Sequence, residues 1–163
     1  MIHPRLVSLR PATPGDEPFL RQLFASTRLE FQFLGDPGQL EALLNMQFNL
    51  QRQQYEAGYP DAEDNIILCD GQPVGRFFVS DGDQQFTLVD VALLPESRNL
   101  GIGRSLIAAL LERAAAAQKP VILHVSKMNP ARRLYERLGF SVVDEDGMYF
   151  EMICEPAIEK RED

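Results

Sequence analysis

Cysteine and histidine are scarce in this chain, basic residues are outnumbered, and long apolar runs are missing. The 163 residues hold two cysteines, Cys69 and Cys154, and two histidines, His3 and His124. Neither pair has the spacing of metal ligands, so no metal site is expected, and two isolated thiols suit reduced cysteines in a cytoplasmic protein better than a disulfide framework. No apolar stretch approaches the ~20 residues of a membrane span. The opening MIHPRLVSLRPATPGDE has no signal-peptide pattern. Lysine and arginine number 16 against 24 aspartates and glutamates, a net charge of −8. No basic stripe is visible, so nucleic acid is not an expected partner, and the acidic excess reads as solubility. Internal repeats and low-complexity linkers are also absent. The expectation is a single domain over residues 1–155, followed by a charged tail, 156–163.

What is present is a clear change of period along the chain. Arg5–Arg10 alternates as a strand. Thr13 can cap a helix opening at Pro14, with Asp16 and Glu17 in its first turn. Asp36 and Pro37 open a second helix, which closes at Gly58 and whose broad apolar side is expected to include Leu40, Leu43, Leu44, Met46, Phe48 and Leu50. Asn65–Asp70 and Val74–Ser80 read as strands around the hairpin signal Asp70-Gly71, and Gln85–Leu94 as a third. A helix over Ile102–Ala117 follows. Val121–Val125 is nearly continuous apolar sequence, expected to be a strand buried on both faces, with His124 inside the core. Asn129 and Pro130 open a further helix that Gly139 closes, and two last strands surround Asp144–Gly147. The order β-α-α-β-β-β-α-β-α-β-β predicts an α/β (α+β) fold with a mixed, mostly antiparallel central sheet flanked by helices.

The stretch Val91–Glu112, VALLPESRNLGIGRSLIAALLE, organises the rest. A strand runs into a loop with two glycines, which runs into a helix. Such a turn exposes backbone N–H groups beside a helix N-terminus and makes an anion cradle. A dinucleotide fingerprint would need a third glycine where Leu106 stands, and a P-loop would need a lysine that Gly101–Ser105 does not offer. The pattern that remains, Arg98-x-x-Gly101-x-Gly103, resembles the acyl-coenzyme A motif of the GNAT family of N-acetyltransferases. A second segment, Asn129-Pro-Ala-Arg-Arg-Leu134-Tyr135-Glu-Arg-Leu-Gly139-Phe140, resembles another element of that family, with its alanine one place early. The resemblance covers residues 65–153 well and residues 1–64 only in element order.

The resemblance implies acetyl transfer from acetyl-CoA to a primary amine of a small molecule or peptide, by direct attack and without a covalent enzyme intermediate. It implies that the loop and helix start, Arg98, Asn99, Leu100, Gly101, Ile102, Gly103, Arg104 and Ser105, hold the pyrophosphate. It further implies that Ala92, Leu93 and Leu94 pair with the pantetheine arm where their strand splays from its neighbour, with Leu93 polarising the thioester carbonyl. Asn129 would hold the arm from the other side, Arg132 would contact a phosphate, and Tyr135 would protonate the departing thiolate. No metal is implied.

The base is open between Asp90, an acid inside the apolar run LVDVALL, and His124. Thr87 and Val89 stand where several relatives carry a glutamate. Phe31, Phe33, Gln47, Gln51 and Tyr55 are candidates for the acceptor site, with the loop Gly58–Asp61 as its cover. A homodimer is compatible with the apolar last strands and the large second helix. The alternative function is a CoA-binding sensor or interaction module without catalysis.

Overall fold

The computed structural model describes residues 5–28 and 35–156. Its elements are β1 (Val7–Pro11), a 3-10 turn (Pro14–Asp16), α1 (Glu17–Ser26), α2 (Pro37–Gly58), β2 (Glu63–Cys69), β3 (Gln72–Asp81), β4 (Phe86–Leu93), a 3-10 turn (Pro95–Ser97), α3 (Ile102–Ala116), β5 (Val121–Ser126), α4 (Arg132–Arg137), β6 (Ser141–Glu145) and β7 (Tyr149–Cys154). The seven strands follow the order β1-β2-β3-β4-β5-β7-β6 in a largely antiparallel sheet with flanking helices, as the element order predicts. The chain divides into two compact units. One holds the described residues through Phe78 together with Asp90–Leu100, and the other holds Val79–Val89 and the described residues from Gly101 onward.

In the first unit, β1 and β2 pair antiparallel from Val7 opposite Cys69 to Pro11 opposite Asn65. Asp70 and Gly71 adopt left-handed φ values of 52° and 83°, as a two-residue hairpin turn requires. Ile66 and Ile67 are fully buried. Ahead of α1, the Asp16 carboxylate accepts two hydrogen bonds of 2.8 Å from Arg10 and one of 2.8 Å from the Thr13 N–H. The Arg10 guanidinium, then the Thr13 amide, hold that carboxyl well below the usual carboxylate range. The pair fixes the 3-10 turn, so the regular helix begins at Glu17 rather than Pro14. Asp36 caps α2 by accepting from the Gly38 N–H. The helix turns Leu40, Leu44, Phe48, Gln51 and Tyr55 inward, at the i, i+4, i+7 spacing of one face. Met46 and Leu50 lie off that stripe and are 59% and 52% exposed, which corrects the broad apolar side expected for this helix. Phe24 of α1 meets Phe48 of α2 edge to face at 5.8 Å.

In the second unit, β4 runs parallel to β5 over Phe86–Leu88 opposite Val121–Leu123, and β5 pairs antiparallel with β7 along its whole length. Burial alternates along β5. Val121, Leu123 and Val125 are buried, whereas the His124 side chain is 58% exposed and sits 4.0 Å from Glu151. The strand is therefore buried on one face only, and His124 is neither a core residue nor a base held in the interior. α3 buries Ile102, Ile107, Leu110 and Ala114. α4 is shorter than predicted, because Asn129–Ala131 form a turn before the helix starts at Arg132. β6 pairs with β7, slips register between Val142 and Asp144, and is exposed from end to end.

Candidate functional site

The turn from β4 into α3 is shaped by its backbone. Leu94 is followed by a 3-10 turn, then Asn99 and Gly101 take left-handed φ values of 61° and 82°. Gly101 is the N-cap of α3 and has no side chain with which to cap it. The first intrahelical bond runs from the Ser105 N–H to the Gly101 carbonyl, 3.0 Å. The N–H groups of Ile102, Gly103 and Arg104 thus precede the helical ladder and share the positive end of the helix. The Ser105 hydroxyl donates to the Ile102 carbonyl rather than outward. Arg104 and Leu100 are exposed. The Arg98 guanidinium turns back on its own unit, with Nε donating to the Leu93 carbonyl at 3.0 Å and Nη2 reaching the Ser26 carbonyl at 3.4 Å. Arg98 thereby braces the end of β4.

That brace matters because the backbone of Ala92–Leu94 has a defined facing. The Leu94 N–H donates to the Val74 carbonyl at 2.8 Å, and the Ala92 carbonyl lies so near Gly75 that a Cβ there would stand 2.2 Å from its oxygen. Ala92 and Leu94 therefore direct their polar backbone groups toward β3. Alternation along a strand sends the N–H of Leu93 to the opposite edge.

Asp90 lies on the same strand. Burial pushes its carboxyl above the usual range, while Arg76, Arg28 and the hydroxyl of Tyr55 pull it the other way. Burial first, and the Asp90 charge second, raise the Tyr55 hydroxyl above its usual range. Arg76 locks this cluster. Its Nε and Nη2 each donate to Asp64 at 2.9 Å, and its guanidinium stacks 4.9 Å from the Phe78 ring centre and 5.3 Å from that of Tyr55. Arg76 and Asp64 are not among the site residues expected from the sequence. The signal was available, since Arg76 is a charge inside the apolar strand VGRFFVS, as Asp90 is inside LVDVALL.

A cleft of about 410 Å³ opens beside this cluster. Its walls include Phe48, Gln51, Tyr55, Tyr59, Arg76 and Phe78. Of the residues proposed for the acceptor, Gln51 and Tyr55 line it, Gln47 is half-buried on α2 outside its lining, and Phe31 and Phe33 lie outside the described residues. Tyr59 and Pro60 of the expected covering loop line it as well.

In the second unit, Tyr135 is 8% exposed and packs edge to face on Phe140, centroids 5.9 Å apart. Asn129 accepts from the Ala131 N–H through Oδ1 at 2.9 Å. Arg132 donates from Nε to Glu136 at 2.7 Å and stacks 4.3 Å from the centre of the Phe150 ring. Asp90 and Tyr135 belong to different units.

This topology is shared with solved acetyltransferases. The PaiA N-acetyltransferase from Thermoplasma acidophilum, solved in complex with coenzyme A, superposes with a TM-score of 0.70 at 18% identity, covering 92% of this chain and 99% of that one. A GNAT family acetyltransferase from Elizabethkingia anophelis, solved with acetyl-CoA bound, gives 0.62 at 16% identity, covering 91% and 97%. The fold is therefore of the acetyltransferase class. The model of the Acetyltransferase (GNAT) domain matches residues 62–142, and this protein belongs to the GNAT family. A mycothiol acetyltransferase from Nocardiopsis dassonvillei is 40% identical over 88 residues, which are 53% of this chain. The match spans 23% of that protein's length.

Proposed function

We propose that the protein transfers an acetyl group from acetyl-CoA to the primary amine of a small molecule or peptide. The observation that carries this reading is the start of α3. A left-handed Gly101 without a capping side chain leaves the amides of Ile102, Gly103 and Arg104 to a ligand, and a pyrophosphate matches them in charge and geometry. Both neighbours named above were solved with CoA or acetyl-CoA, which supports the same donor here.

The roles follow from the residues. The Leu93 N–H, facing away from β3, polarises the thioester carbonyl. The amine nitrogen attacks that carbon, so that a C–N bond forms and the C–S bond breaks. Asp90, more basic than an ordinary carboxylate, receives the proton that the amine loses, directly or through a water. Tyr135 donates its phenolic proton to the thiolate, and Asn129 holds the pantetheine arm through its amide nitrogen. Arg98 contributes by fixing the Leu93 carbonyl, and hence the facing of the Leu93 amide. The free Cys69 and Cys154 suit a reducing compartment, and we place the protein in the cytoplasm. Among the described residues, no helix is long and apolar enough to cross a membrane.

The test is release of CoA thiol from acetyl-CoA across a panel of amines. Tyr135→Phe keeps the ring on Phe140 and removes only the hydroxyl. Its kcat is expected to fall about 10²-fold with CoA binding retained. CoA binding with no turnover of any amine would favour a sensor over an enzyme. Absence of CoA binding would refute the reading.

A further inference from the structure

The cleft lined by Tyr55 and Arg76 concentrates a scarce resource. The chain has no tryptophan and four tyrosines, and two of those tyrosines, Tyr55 and Tyr59, line this one cleft with Phe48 and Phe78. The Tyr55 and Phe78 rings stand 5.0 Å apart at 40°, and Tyr59 meets Phe78 at 6.5 Å and 73°. Such tilted and edge-on faces accept another ring at the same spacings. A volume of about 410 Å³ suits one small molecule of a few rings at most.

Charge narrows the occupant further. Arg76 is paired with Asp64, and Arg52 with Glu17. Glu56, also on the lining, pairs with no cation among the described residues, so the cleft favours a single positive charge over an anion. The two arginines in the wall disfavour an elongated polycation. Tyr55 and Arg76, both on the lining, are also residues whose charge or hydroxyl acts on Asp90.

We propose that this cleft is the acceptor subsite and that it takes a monoamine carried on a planar aromatic body, an arylalkylamine. The assignment rests on the acetyltransferase reading above for the reaction, but binding can be tested apart from it. Because the chain lacks tryptophan, the indole emission of tryptamine reports its own binding without background from the protein. Tryptamine polarisation should rise on titration with the full chain, with or without CoA. In the thiol-release assay, tryptamine and tyramine should exceed hexylamine and spermidine in kcat/KM by about tenfold, the worth of one good ring contact. Tyr59→Ala should narrow that gap through a higher KM for the aromatic amines, and Tyr59→Phe, which keeps the ring, should preserve it.

Two results would overturn the proposal: flat tryptamine polarisation, or hexylamine or spermidine turned over as well as tryptamine. The second would leave the acetyltransferase reading standing. Tryptamine binding without thiol release from any amine would uphold the cleft's ligand class and count against acetyl transfer.

Discussion

Gly75→Ala is a one-carbon perturbation whose consequences can be worked from contacts. A Cβ at Gly75 would lie 2.2 Å from the Ala92 carbonyl oxygen, 2.9 Å from Leu93 Cδ2 and 3.1 Å from Ile67 Cδ1, where 3.4–4 Å is ordinary contact. The worst clash is with backbone, which cannot rotate away as a side-chain tip can. β3 and the end of β4 must separate by about 1 Å, straining the Leu94-to-Val74 hydrogen bond. Overpacking of this kind costs about 3 kcal/mol, which for a chain of this size lowers Tm by roughly 6–12 °C. The displaced residues are those that aim the Leu93 amide, so kcat should fall by about 10²-fold as well, as a 1 Å misplacement can produce. Gly71→Ala is the control. Its φ of 83° penalises a side chain, but nothing lies within 4 Å of the added atom, so it should cost only about 1 kcal/mol and leave kcat alone. Thermal melts followed by circular dichroism, with thiol-release kinetics on both variants, give the comparison. If Gly75→Ala melts with Gly71→Ala and keeps full kcat, the close approach of β3 to Ala92 plays no part in placing the Leu93 amide.

Three further variants have definite expected outcomes. Asp90→Asn should lower kcat/KM by about 10²–10⁴-fold and abolish the acid limb of the pH–rate profile, a limb that lies above the usual carboxylate range because burial raises the group. Since the folded chain binds that proton more tightly than the unfolded chain, ionised Asp90 opposes folding as pH rises above its ordinary value of 3.8. Asp90→Asn should therefore raise Tm at neutral pH and have little effect near pH 4, measured by calorimetry. Asp16 has the opposite sign. Its folded pKa is depressed, so its contribution is complete above 3.8 and fades as pH falls below it. The Tm deficit of Asp16→Asn should thus be constant at neutral pH and shrink under acid. Arg98→Ala releases the Leu93 carbonyl, and single-turnover kinetics should show slower chemistry with tryptamine binding unchanged.

Elements set by local chemistry were legible in the chain. The Asp70-Gly71 turn and the break at Gly139 rest on glycines that accept left-handed φ, the Asp36 cap rests on a carboxylate that accepts from a free amide, and the strands and helices between them follow from period. β5 was misread because Val121–Val125 has one polar residue, and a single histidine in an apolar run does not announce that it marks an outer face. Met46 and Leu50 were misassigned because apolar residues off the inward stripe look the same in a list as those on it. At the candidate site, the glycine turn was legible because it is a matter of backbone conformation. The brace from Arg98 to Leu93 was not, because an arginine beside a phosphate motif invites a phosphate role and only the fold shows its guanidinium turned inward. The cleft was only half visible. Gln51 and Tyr55 share a helix face, but Arg76 and Phe78 join them through the pairing of distant strands.

The exposed β6 strand has a consequence for how concentrated solutions of this protein behave. A sheet that ended there on a straight, flat strand such as Ser-Val-Val would invite copies to add strand to strand without limit. The slipped register at Val143 bends that edge, and Asp144 and Glu145 place like charges along it. An approaching identical edge meets a bulge, the Asp144 carboxylate and the Lys127–Glu145 ion pair instead of a free ladder. This short irregularity, far from Asp90 in sequence, is of the kind that opposes edge-to-edge strand addition.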